Sequence, residues 1–135
     1  MRLHHRAVVA AAVVHWIAGA LWYAAFTAPF TRYMGGAKLA ELQSRSEPLA
    51  FGGAFAASIL LAYALASLTA RVTASLRLAA AAWMLVAATQ SQTVLFEGRH
   101  AGLYAINVGY QLVAIVLMVF ILDRWRAAPT PESQR

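Results

Sequence analysis

The sequence predicts an all-α integral membrane protein, a four-helix bundle, on three observations. Hydrophobic residues make up 61% of the chain and charged residues 12%, against roughly half and a quarter in a soluble domain. The apolar residues gather into four runs, each near the roughly 20 helical residues that cross a hydrocarbon core about 30 Å thick. The bases flank those runs, as anchors at a membrane surface do. A soluble domain of 135 residues cannot bury this much apolar surface, so the excess faces lipid. One domain, residues 1–126, is expected to hold spans at about 7–28, 49–70, 78–97 and 102–122. Residues 127–135 are expected as a disordered tail.

The first span follows a basic start, Arg2, His4, His5 and Arg6. A cleaved signal peptide is the rival reading of this segment. Against it, His15 and Trp16 interrupt the apolar run, and no polar region precedes Ala18-Gly19-Ala20. Pro29 to Pro48 is the longest polar connection, punctuated by Pro29 and by Gly35-Gly36. Phe30, Tyr33 and Met34 beside Arg32 suit a segment lying among headgroups, an ordinary solvated loop being the alternative. Lys38 to Arg45 has the length of two turns of surface helix. In the second span Ala54, Ser58, Ala62, Ala66 and Ala70 recur at every fourth residue, widened by Gly53 and Ala57. This is a helix-packing face small enough to let another helix approach closely. Arg71 to Arg77 is a short basic turn, and the tip Glu97-Gly98-Arg99-His100 joins the last two spans.

Several function classes fall away. The absence of cysteine removes disulfides, Cys-ligated zinc, iron–sulfur clusters, covalent haem and thiol nucleophiles. No Rossmann glycines, P-loop or HExxH motif is present. The net charge of +6 would suggest nucleic acid in a soluble chain, but no basic stripe forms a continuous face, so no nucleic-acid partner is expected. Arg2, Arg6, Arg71, Arg77, Arg124, Arg126 and Arg135 fall on the side of the termini, and Arg32, Lys38, Arg45 and Arg99 on the other. Bases favour the cytoplasm, so both termini are expected there. Helical spans fit the inner, plasma membrane rather than an outer-membrane barrel.

Two stretches carry a resemblance: GALWYAAFTAPF, Gly19 to Phe30, and LFEGRHAGLYAINVGYQLV, Leu95 to Val113. With Gly-x-x-Trp-Tyr ending the first span and a Phe-Glu hairpin leading to Ile-Asn-x-Gly-Tyr, the chain resembles a family of small four-helix bacterial membrane proteins catalogued as a domain of unknown function. The resemblance spans nearly the whole chain. It implies a four-helix membrane bundle and no particular activity.

Polar groups in hydrocarbon need partners, so they point inward and cluster. Thr89, Thr93 and Glu97 lie at spacing four with Gln90 beside them; Asn107 and Gln111 lie at spacing four, with Tyr104 and Tyr110 near; His15, Gly19, Trp22 and Tyr23 share a face. Depth divides them. His15 lies about 12 Å from the cytoplasmic edge and Glu97 near the outer edge, about 18 Å away. Metal ligands sit within about 2–2.5 Å of their ion, so His15, Glu97 and His100 cannot share one, and no metal or cofactor is expected. His15, Gln90 and Gln111 form a midplane polar layer, for which interhelical hydrogen bonds, worth about 0.6 kcal/mol each, are the plain explanation. Trp22, Tyr23, Thr93, Glu97 and Asn107 form an outer layer. There Glu97 either pairs with Arg99 in the headgroups or turns inward to meet Tyr23 and Asn107 in a small pocket.

The leading expectation is a non-enzymatic membrane protein whose polar layer binds or passes a small or lipophilic ligand, with the outer-layer residues as ligand-binding candidates and no catalytic residue. The alternative is an accessory or structural subunit that packs against another membrane protein, or against a second copy, through Ala54, Ser58, Ala62 and Ala66. A membrane enzyme with Glu97 or His15 as acid or base is the third class.

Overall fold

The computed structural model describes residues 4–36, 47–69, 71 and 75–126. They form five helices: α1 (His5–Ala25), α2 (Thr27–Met34), α3 (Glu47–Thr69), α4 (Ser75–Glu97) and α5 (Ala101–Arg126). No strand occurs among the described residues. The four long helices are apolar around their circumference and long enough to cross a bilayer. Leu60, Leu95 and Phe96 are 72%, 80% and 91% exposed, a surface suited to lipid. The protein is an all-α, multi-pass membrane protein. The surface helix expected over Lys38 to Arg45, the expected tail and Ala70 lie outside the described residues.

The first span stops earlier than its apolar run. Pro29 has no N–H to donate to the Ala25 carbonyl, and its ring crowds that carbonyl. α1 therefore ends at Ala25 and the chain restarts as α2, where Pro29 sits harmlessly in the first turn. The Thr27 hydroxyl donates to the carbonyls of Tyr23 (2.7 Å) and Ala24 (3.0 Å), covering the end of α1. α2 is the aromatic segment anticipated near the headgroups. It folds onto the start of α5, where the Tyr33 ring lies against Gly102 and stacks on His100, centroids 4.3 Å apart.

The α4–α5 hairpin is closed by local chemistry. Gly98 takes φ +60°, and the Arg99 N–H bonds the Val94 carbonyl at 3.0 Å, a Schellman ending that needs a residue tolerant of the left-handed region. His100 then caps α5, its Nδ1 accepting from the Gly102 N–H at 3.0 Å.

α5 is the central helix: α1, α2, α3 and α4 all pack on it, while α1 and α4 do not touch. The tight core occupies the half of the bundle nearest the termini. Ala7, Val8, Ala11 and Ala12 of α1 meet Ala62, Leu65 and Ala66 of α3 and Ile115, Met118 and Val119 of α5. The alanines let α1 and α3 approach closely here. The small-residue face thus serves inside the bundle from Ser58 to Ala66, whereas Ala54 is exposed.

Candidate functional site

In the other half, α1 leaves α3 and leans on α5. The Trp22 indole N–H donates to the Ile106 carbonyl (3.0 Å), and the Tyr23 hydroxyl donates to Asn107 Oδ1 (2.7 Å). Two glycines permit the close approach. A Cβ on Gly109 would stand 3.1 Å from the Trp22 ring, and one on Gly19 would stand 3.0 Å from the Tyr110 hydroxyl oxygen. On the α3 side, the Trp16 ring meets Phe51 and Phe55 edge-on at 6.4 and 6.3 Å, bulk that replaces the alanine contacts of the core.

The result is a cleft of about 580 Å³ between α1 and α3, floored by α5. Its floor carries His15, Ser58, Tyr110 and Gln111; its walls include Trp16, Tyr23, Phe51 and Ala54. Rings line one side in sequence, His15 to Tyr110 at 5.3 Å and Tyr110 to Tyr23 at 5.6 Å, and Tyr23 in turn meets Phe30 of α2 at 5.4 Å. The mouth, at Ala20, Ala24, Thr27, Phe51, Ala54 and Ala57, is exposed. Among the described residues no Asp, Glu, Lys or Arg lines the cleft.

Ser58 donates to the Ala54 carbonyl at 2.8 Å, and its oxygen also lies 2.8 Å from His15 Nδ1, whose role as donor or acceptor follows from the tautomer. The Tyr110 hydroxyl donates to the His15 carbonyl at 3.1 Å and lies 3.1 and 3.2 Å from the two ring nitrogens. Gln111 Oε1 is buried, and the Gln111 side chain faces His15.

The residues named from sequence divide as follows. His15 and Gln111 share the cleft floor. Gln90 does not join them: it stands on α4, and α5 separates that helix from α1. Tyr23 and Asn107 meet, and Trp22 anchors beside them. Thr93 is exposed on α4, and Glu97 is exposed and paired with Arg99. Glu97 ends α4 beyond the bundle, where the neighbouring guanidinium satisfies it. This is the headgroup alternative, and Glu97 does not line the cleft. Ser58, expected only as a packing residue, also holds the histidine. Its depth matches that of His15, and a hydroxyl in a row of alanines was the available signal. Trp16 and Phe51 had none, since aromatics recur throughout spans as lipid-facing residues.

Among the described residues no group of three or more His, Cys, Asp or Glu is arranged to hold a metal ion. The profile of a family described as a protein of unknown function (DUF1761) matches residues 6–123, from the start of α1 nearly to the end of α5. No curated protein and no solved structure matches the chain.

Proposed function

The chain belongs to the DUF1761 family, and we propose that it is a non-enzymatic membrane protein that binds a lipophilic small molecule, taken in sideways from the bilayer through the mouth between α1 and α3. The observation that carries this reading is the cleft: about 580 Å³, aromatic-walled, uncharged among the described residues, and with a polar floor at mid-bundle. Small-molecule sites have this size and composition, a few hundred Å³ of apolar wall around a few placed polar groups. The membrane is the bacterial inner membrane, with both termini cytoplasmic, on the distribution of Arg and Lys. The cleft then occupies the outer half of the bilayer.

Photo-crosslinking with a diazirine-bearing alkyl probe in proteoliposomes tests the reading. Adducts are expected on Ala20, Phe51, Ala54 and Ala57. Adducts spread evenly over the exposed faces of all four long helices would overturn it.

A second reading, an accessory or self-associating subunit, draws on α4. Gln92 and Thr93 are exposed on that helix, and polar side chains facing lipid gain from a partner helix. Subunit counting by single-molecule photobleaching in native membranes separates this from a monomer.

A further inference from the structure

We infer that the molecule taken by the α1–α3 cleft carries a hydrogen-bond-accepting carbonyl head on an apolar tail, a lipophilic ketone or quinone. This rests on the ligand-binding reading and adds the chemistry of the head.

The cleft has protons to give, and they sit on nitrogen. Each of its described hydroxyls already donates to a carbonyl oxygen: Ser58 to Ala54, Tyr110 to His15, Thr27 to Tyr23, and Tyr23 to the side-chain amide of Asn107. His15 is buried, its ring against Ser58 and Tyr110. Two N–H groups are unspent. Trp22 and Trp83 each give the indole N–H to a backbone carbonyl of α5 at 3.0 Å. The Trp16 indole meets only the edges of Phe51 and Phe55, with no acceptor among the described residues. Gln111 keeps its oxygen enclosed and its side chain facing His15, so the amide N–H2 is the end left to the cleft. The reverse placement would enclose two donors in place of one acceptor, and buried donors without partners are the rarer state. A carbonyl oxygen answers both groups, because it accepts and brings no proton that needs a partner of its own.

The rest of the cleft suits such a molecule. A conjugated ring bearing the carbonyl can lie against Trp16, Tyr23 and Phe51. The tail has a route: a second groove of about 400 Å³ between α1 and α3 shares Trp16 and Phe51 with the cleft. It is bounded by Val13 and Ile17, both exposed to lipid. A head seated at Gln111 therefore sends its tail past the Trp16–Phe51 ring pair, edge-on at 6.4 Å, toward lipid.

The test compares 4-octylacetophenone with 4-octylethylbenzene, which has a methylene in place of the carbonyl. Both are titrated calorimetrically into the protein in nanodiscs, and partition into empty nanodiscs is subtracted. The ketone is expected to bind about tenfold tighter, as one hydrogen bond allows. Gln111→Met, which keeps the bulk and removes the N–H2, combined with Trp16→Phe is expected to erase the difference by weakening the ketone alone. The comparison on the unaltered protein stands even where the double variant does not fold. Equal binding of both probes, or tighter binding of the hydrocarbon, would overturn the inference while leaving a lipophile site in place. An undiminished preference for the ketone in the folded double variant would also overturn it. Binding of neither above empty nanodiscs would overturn the ligand-binding reading and this inference with it.

Discussion

The Tyr110 hydroxyl oxygen lies 3.0 Å from the place a Cβ would take on Gly19. The same exchange recurs three residues further along α1, where Trp22 fills the space before Gly109. Each helix offers a glycine notch to an aromatic ring of the other. The Gly-x-x-Trp-Tyr and Ile-Asn-x-Gly-Tyr stretches thus fit each other, and this pairing draws α1 to α5 and opens the cleft beside α3. Gly19→Ala and Gly109→Ala should therefore each destabilise the bundle by about 1–3 kcal/mol, the usual cost of overpacking. Gly53→Ala, which meets nothing within 4 Å, should be neutral or mildly stabilising. Equilibrium unfolding in mixed micelles measures all three; equal effects would contradict the notch.

The Tyr23–Asn107 hydrogen bond, 2.7 Å long, should show up as coupling. A double-mutant cycle of Tyr23→Phe and Asn107→Ala is expected to give about 0.6–1.7 kcal/mol, the range of interhelical bonds in lipid. A value near zero would mean that packing alone holds α1 against α5.

The hairpin tip should separate backbone from charge. Gly98→Ala forces a Cβ into φ +60° and should cost about 1–2 kcal/mol. Glu97→Gln removes only an exposed pair with Arg99 and should change stability by less than about 1 kcal/mol. It should leave ligand retention unchanged, since Glu97 is not in the cleft.

Orientation is directly testable because the chain has no cysteine. In intact cells a membrane-impermeant maleimide should label Arg99→Cys, and should label Arg71→Cys only after permeabilisation. The reverse pattern would invert the topology.

Much of the fold was legible because lipid imposes simple rules. Run length alone located α3, α4 and α5 to within a few residues. Rise per residue put Tyr23 level with Asn107, and the two do bond. Depth carries no information about which helices are neighbours, however. Gln90 was assigned to the level of His15, yet α5 stands between their helices. The break at Ala25 required reading Pro29 as a missing donor four residues on, not only as loop punctuation. The cleft was not legible, because it arises from a difference: alanine contacts hold α1 to α3 at one end, and Trp22, Tyr23 and the two glycine notches draw α1 away at the other. That balance belongs to three helices at once and leaves no mark in any one of them.

Filling the cleft tests its role most directly. Ala54 lines it, and its side chain is exposed at the mouth, so Ala54→Phe occupies the cleft without entering the core. Protein extracted from its own membrane straight into nanodiscs, and weighed by native mass spectrometry, should carry a bound lipophile of defined mass that Ala54→Phe lacks. The same adduct on both proteins, or none on either, would contradict a ligand site between α1 and α3.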